Sequence, residues 1–192
     1  MRTDLLLRPR LGGVMSGADA GRVAAWDADV AVEELYAAHF RRLVRLSVLL
    51  VRDVETAEEV VQDSFVAMHG RWRSLRDPDL ALAYLRQSVV NRSRSVLRRR
   101  VVAARHVPEA VPDRAGADHD AVAAEQRDRV LDALRALPDR QREVVALRYY
   151  LDLSEAQIAE TLGISNGAVK SHASRAAAAL RTSLGPLLED PS

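Results

Sequence analysis

Apolar residues recur at the three- and four-residue spacing of an α-helix along most of the chain. Two such stripes cover residues 30–50 and 60–68, and a third predicted helix runs from about residue 79 to the triple arginine at 98–100. No segment shows the alternation of apolar and polar residues that is typical of a half-buried β-strand. The pattern therefore predicts an all-α protein.

Local signals predict where the helices of the first half begin and end. Thr56, followed three residues later by Glu59, matches the capping-box pattern at the start of the second helix, and Gly70 is placed to end it. Asp77 and Pro78 supply an N-cap and a proline at the first position of the third helix.

Helical spacing returns in the second half, where Pro138 and Asp139 mark a break between two helices. Ser154 and Gln157 match a second capping box, and Gly163 is a candidate for a left-handed helix stop. The last helix carries an apolar row at every third or fourth position: Val169, Ala173, Ala176, Leu180 and Leu184. A short helix, a Gly-Ile-Ser turn and a longer helix together predict a helix-turn-helix.

Composition divides the chain into two small helical domains joined by a flexible linker. Residues 1–28 lack sustained periodicity and predict a mobile N-terminal tail. The first domain is expected at 29–105 and the second at 121–186, followed by a short tail at 187–192. Residues 106–120 are rich in acidic residues, proline and glycine, which is typical of a linker.

The net charge of +1 hides a strong separation of charge along the chain. Residues 86–105 hold seven arginines and no acidic residue, whereas residues 53–63 hold five acidic residues and no basic one. A basic stripe of this kind can follow a nucleic-acid backbone, although a solvated helix face is the alternative explanation.

Several function classes are disfavoured by composition. The 192 residues include no cysteine, so thiolate metal sites and disulfides are excluded. None of the five histidines forms an HExxH or Glu-x-x-His pattern, and no glycine-rich phosphate loop or nucleophile motif occurs. We therefore expect no enzymatic activity, no metal and no cofactor. No apolar run suits a signal peptide or membrane insertion, so a cytoplasmic location is expected.

The last helix is the strongest candidate for binding DNA. Its apolar row directs four hydrogen-bond donors to the opposite side: Lys170, Ser171, Ser174 and Arg175. Basic side chains in the N-terminal half of a recognition helix can donate to guanine O6 and N7 in the major groove. No acidic residue occurs from Ser165 to Gly185. The alternative is an ordinary helical hairpin with a solvated outer face.

Three stretches of the chain carry a family resemblance. The stretch "LPDRQREVVALRYYLDLSEAQIAETLGISNGAVKSHASRAAAAL" resembles region 4 of the extracytoplasmic-function (ECF) sigma factors of bacterial RNA polymerase, which belong to the sigma-70 family. The stretches "AEEVVQDSFVAMHGRW" and "AYLRQSVVNRSRSVLRRR" resemble their region 2. Within that family, the three stretches resemble the SigE-like subgroup of actinobacteria. The resemblance implies a region 2 helical bundle and a region 4 helix-turn-helix.

The resemblance also implies roles for particular residues. The four donors of the last helix would read the minus-35 element as duplex DNA. Asn91 would line the pocket for a flipped base of the minus-10 element. An aromatic residue such as Trp72 more often belongs to a core, and stacking on a base is its alternative role. Strand opening also needs a positively charged track. The arginines beside Asn91 can supply it: Arg92, Arg94 and Arg98.

The implied partners are promoter DNA and the polymerase core, through its largest-subunit clamp helices and its flap region. The polar face formed by Glu59, Gln62 and Asp63 would dock on the clamp helices. An anti-sigma factor is a further candidate partner.

An alternative interpretation of the sequence is a LuxR-type helix-turn-helix regulator that does not depend on core polymerase. The second half of the chain suits such a regulator nearly as well. The separating feature is the first half, because a regulator would carry a receiver or ligand-binding domain there.

Overall fold

Seven α-helices form the regular structure of the part of the chain described by this computed structural model, which is residues 17–72, 78–104 and 121–188. No strand occurs within these ranges, and the all-α prediction is confirmed. The helices are α1 Gly17–Val51, α2 Val54–Gly70, α3 Pro78–Ala104, α4 Ala121–Ala136, α5 Asp139–Val145, α6 Glu155–Leu162 and α7 Asn166–Leu188.

The predicted linker and most of the two predicted tails lie outside the described residues. Residues 17–28 are an exception, because they form the first turns of α1 and not a tail. Alanine is frequent in this stretch, and its high helix propensity supports a helix even without an apolar stripe. No helix in the described ranges is both long and apolar enough to cross a membrane.

The start of α2 also differs from the prediction. The N-cap is Asp53 and not Thr56, because the Asp53 carboxylate accepts hydrogen bonds from both the backbone N–H and the hydroxyl of Thr56. Thr56 therefore lies inside the first turn as a donor. The end of α2 at Gly70 agrees with the prediction.

Helices α1, α2 and α3 pack into one bundle around a continuous apolar core. Leu46, Val61 and Leu85, one from each helix, are fully buried there. Tyr36 stacks on Phe40 with a ring-centroid distance of 4.3 Å, and both rings approach Phe65 of α2. The buried hydroxyls of Ser47 and Ser93 share a hydrogen bond of 3.1 Å, so the polar groups between α1 and α3 are satisfied.

The second half folds as predicted around the helix-turn-helix. The capping box at the start of α6 is complete, since Ser154 and Gln157 each accept a hydrogen bond from the other's backbone N–H. Gly163 ends α6 in the left-handed conformation with φ of 64°, which glycine adopts without steric cost. Val169 and Ala176 of α7 are fully buried. The helix that begins after the predicted break is α-helical from Asp139 to Val145 and continues as a π-helical turn, Ala146–Tyr150.

The two halves pack against each other across α1 and α3. The hydrophobic core continues from the first bundle into Leu147, Leu151 and Ile158 of the second half. On α1, Arg42 donates to the backbone carbonyls of Tyr150 and Leu151 at 3.3 and 3.2 Å. Arg52, the residue directly after α1, donates to the carbonyl of Arg135. Carbonyls left unpaired at the ends of α4 and of the π-helical turn thus find donors on the opposite half.

Replacing the N-cap Asp53 with Ala is expected to destabilise the protein by about 1 kcal/mol, because a helix N-terminus loses its acceptor. Urea unfolding at neutral pH measures this loss. Asp53→Asn is the matched control, since asparagine still caps, and it should cost less. Equal stability of wild type and Asp53→Ala would contradict the assignment of the cap.

The same residue predicts a pH effect. Hydrogen bonds from the Thr56 hydroxyl and amide, together with the nearby Arg100 guanidinium, lower the pKa of Asp53, and burial opposes this only partly. The contribution of Asp53 is therefore present above the unfolded carboxyl pKa of about 3.9 and is lost as the pH falls through the folded value. The stability difference between wild type and Asp53→Ala should shrink in acid.

A histidine between the two halves predicts a second pH effect. Burial and the guanidinium groups of Arg86 and Arg42 lower the pKa of His39 from its ordinary 6.5. Folding therefore favours the neutral imidazole. The free energy of unfolding is undiminished above pH 6.5 and decreases as the pH falls from there to the pKa of His39 in the folded protein. An NMR titration should give a His39 midpoint below 6.5. His39→Gln should flatten the pH dependence of stability, and a midpoint above the ordinary value would refute this.

Candidate nucleic-acid and partner interfaces

The face of α7 opposite its buried row carries the four predicted donors. Lys170, Ser174 and Arg175 are exposed, and Ser171 is partly buried. The helix is held at its start by Ser165, whose hydroxyl oxygen accepts from the N–H of Ala168 at 3.2 Å. One face of α7 therefore presents three exposed hydrogen-bond donors: Lys170, Ser174 and Arg175.

A carboxylate that the sequence reasoning did not single out lies next to this face. Glu155, in the first turn of α6, is 3.7 Å from the Lys170 ammonium and 3.3 Å from the Arg148 guanidinium. The α7 face is therefore not uniformly basic, because one acidic group lies between two cations. The sequence places Glu155 directly after the predicted N-cap Ser154, but it gave no local signal for contacts with Arg148 and Lys170, which lie on other helical elements.

The predicted arginine track of α3 divides into three environments. Arg98 is exposed and its guanidinium donates to the Ser95 hydroxyl at 3.1 Å. Arg92 forms an ion pair of 2.9 Å with Asp63 of α2. Arg94 instead turns to the second half of the molecule, where it donates through two nitrogens to Glu143 at 3.0 and 2.9 Å. Only part of the predicted track is thus open to solvent.

Asn91 and Trp72, the two residues predicted to handle an unpaired base, have different surroundings. The Asn91 side chain is exposed, and its oxygen accepts from Arg94 at 3.2 Å. The Trp72 ring is only 8% exposed and belongs to the hydrophobic core, where it continues the buried stripe of Val61, Phe65 and Met68. Stacking of Trp72 on a base would therefore require a rearrangement at the end of α2.

The outer face of α2 presents the three residues predicted to bind core polymerase. Glu59, Gln62 and Asp63 are all exposed on the side away from the core. Val66 extends this face by one turn and is 73% exposed, an apolar side chain that the sequence reasoning missed. Its place three and four residues after Asp63 and Gln62 was the signal, because those spacings share one helix face.

A groove of about 770 Å³ connects this acidic face with the arginines of α3. Its walls hold both charge signs over an apolar floor: Asp63, Arg92, Arg98 and Arg99 around Val60, Val96 and Val102. Among the residues whose side chains are described, no cluster of histidine and acidic residues could hold a metal ion.

Comparison with known proteins identifies the two halves separately. Residues 35–101 match the family Sigma-70 region 2, and residues 127–180 match the family Sigma-70, region 4. An RNA polymerase sigma-E factor from Streptomyces avermitilis is 37% identical over 143 residues, which are 74% of this chain and 78% of that protein. The ECF RNA polymerase sigma factor SigM from Mycobacterium tuberculosis is 33% identical over 185 residues, covering 92% and 89% of the two chains.

Two solved structures of other proteins have a fold similar to that of this chain. CnrH in complex with the cytosolic domain of CnrY is 27% identical, with a TM-score of 0.61 over 91% of this chain and 100% of that one. The sigma factor RpoE in complex with the anti-sigma factor NepR from Bartonella quintana has a TM-score of 0.68 at 21% identity, over 80% and 96% of the chains. The chain belongs to the sigma-70 family of RNA polymerase sigma factors, in its ECF group. The match of the first half to region 2 favours this family over a LuxR-type regulator.

Proposed function

We propose that this sigma factor binds the core of bacterial RNA polymerase and directs it to promoters through two DNA contacts. The observation that carries the proposal is the exposed donor face of α7, which lies within the region 4 match and opposite the fully buried Val169 and Ala176. Family membership supplies the class of activity, and the side chains of this chain supply the proposed contacts.

In this proposal the N-terminal half of α7 enters the major groove of the minus-35 element. Arg175 and Lys170 donate to guanine O6 and N7, while Ser174 contacts a base edge or a phosphate. Ser171, which is partly buried, is left with a phosphate contact. Glu155 restrains Lys170 and repels a phosphate placed too close to α6, so it sharpens the position of the helix on DNA.

The minus-10 element is proposed to bind along α3. The exposed Asn91 amide has both donors and acceptors and can recognise the edge of a flipped base. Arg92 and Arg98 flank it and neutralise phosphates of the non-template strand, which makes binding dependent on salt. Arg94 would join this track only after leaving Glu143. A stacking role for Trp72 stays a prediction, because the ring is buried.

Core polymerase is proposed to dock on the outer face of α2, defined by Glu59, Gln62, Asp63 and the exposed Val66. An apolar side chain surrounded by polar ones is typical of the centre of a protein interface. Region 4 would contact the flap of the polymerase. The predicted acidic linker between the domains would then follow the positively lined polymerase cleft.

An anti-sigma factor is a further proposed partner. The support is that RpoE of Bartonella quintana is bound to the anti-sigma factor NepR, and CnrH is bound to the cytosolic domain of CnrY. The two-domain likeness to CnrH spans 91% of this chain.

Arg175→Ala tests the minus-35 contact. Loss of one bidentate guanine contact should cost about 1–3 kcal/mol of discrimination, so run-off transcription from the cognate promoter should fall about fivefold or more. Binding to core polymerase, measured by co-purification, should be unchanged. Arg127→Ala removes the same charge from the exposed surface of α4 and should leave transcription intact. Loss of core binding in Arg175→Ala would discredit the base-reading role.

Asn91→Ala tests the minus-10 contact, because its effect should depend on whether the template is already open. Run-off transcription from duplex promoter should decrease, whereas transcription from a template with a pre-melted minus-10 region should be nearly normal. Arg175→Ala is the matched comparison, since it should reduce activity on both templates. An equal loss on both templates for Asn91→Ala would remove the proposed role in strand opening.

A further inference from the structure

An ion cluster connects the two domains directly at the proposed minus-10 surface. The Arg94 guanidinium of α3 donates through Nε to Glu143 Oε1 at 3.0 Å and through Nη2 to Glu143 Oε2 at 2.9 Å. Arg140 of α5 donates to the same Oε2 at 3.0 Å. This two-point geometry is the strongest form of an arginine–carboxylate pair.

Burial makes this contact more than a surface ion pair. The Glu143 side chain is 5% exposed and the Arg94 side chain 22%. A carboxylate removed from water in this way depends on its two arginine partners, and only one of them, Arg140, belongs to its own domain. Separation of the domains would expose Glu143 to water, so closure and the ion pair depend on each other.

The cluster also occupies the residue proposed to recognise the flipped base. The remaining Arg94 nitrogen, Nη1, donates to Asn91 Oδ1 at 3.2 Å. A chain of contacts therefore runs from Arg140 through Glu143 and Arg94 to Asn91. In this arrangement the Arg94 donors are committed within the protein, and the amide oxygen of Asn91 already has a donor.

We propose that the Arg94–Glu143 pair is an interdomain latch that holds the free sigma factor closed and withholds Arg94 and Asn91 from the minus-10 strand. The inference rests on the proposed function. A phosphate accepts from a guanidinium in the same two-point geometry as a carboxylate, so the DNA backbone can compete with Glu143 for Arg94. When the strand binds Arg94, the pair with Glu143 is lost and region 4 can separate from region 2.

The latch is tested by measuring the distance between the domains in the free chain. The chain has no native cysteine, so Ala38→Cys and Ala178→Cys, both at exposed positions, provide two labelling sites for single-pair fluorescence energy transfer. Glu143→Gln and Arg94→Ala break the pair from opposite sides, and each should shift the population to longer distances. Glu160→Gln removes an exposed carboxylate of α6 and should keep the closed distance.

A second measurement asks whether opening releases the minus-10 surface. A fluorescent single-stranded oligonucleotide carrying the minus-10 element is titrated with free chain. If about one molecule in ten of the wild type is open, full opening by Glu143→Gln should raise apparent affinity about tenfold. Arg94→Ala should open the chain without this gain, because it also removes a phosphate contact.

The outcomes separate the latch from the function on which it rests. Closed distances in both Glu143→Gln and Arg94→Ala, with normal helicity by circular dichroism, overturn the latch. Longer distances without a gain in strand affinity for Glu143→Gln overturn the claim that the latch withholds Arg94 and Asn91. Core-dependent run-off transcription tests the proposed function independently of the latch. With core polymerase and promoter DNA at saturating concentrations, the chain is bound in the open form whatever its open fraction when free.

Discussion

Burial of one apolar stripe on each helix is the constraint on which the rest of this structure depends. Leu46, Val61 and Leu85 meet in the first domain, and Val169 fixes α7 in the second. Because an α-helix turns by about 100° per residue, burying these positions determines which polar residues reach solvent. The acidic face of α2 and the donor face of α7 follow directly from this packing. Charge separation along the sequence thereby becomes charge separation in space.

The groove between α2 and α3 brings an acidic residue and several arginines of the first domain together. The Asp63–Arg92 ion pair lies at its edge and joins the surface proposed for core polymerase to the one proposed for DNA. Each of these residues has a partner in the free chain, and each would have to exchange it on binding. An exposed ion pair of this kind contributes little to stability, so replacing it with a new partner costs little free energy. The Arg94–Glu143 pair is more buried, and its exchange is correspondingly more demanding.

Sequence reasoning succeeded where the determining contacts are local. The capping box of Ser154 and Gln157 and the left-handed Gly163 depend on residues four or fewer positions away, and the structure confirms both. The predicted N-cap of α2 was wrong because two residues that can cap a helix, Asp53 and Thr56, lie within one turn of each other. Non-local contacts could not be predicted from sequence. Arg94 and Glu143 are 49 residues apart, and nothing in the sequence distinguished Arg94 from Arg92 and Arg98 within the predicted track. The contacts of Glu155 with Arg148 and Lys170 likewise join separate helical elements, here within the second domain.

We propose that the two small helical domains select a promoter only when they are bound to RNA polymerase core. The most direct test is run-off transcription by core polymerase over a genomic template library, with and without the purified chain. We expect discrete new start sites that require both the chain and the core. A chain that neither co-purifies with core polymerase nor produces any promoter-directed start site would contradict this proposal.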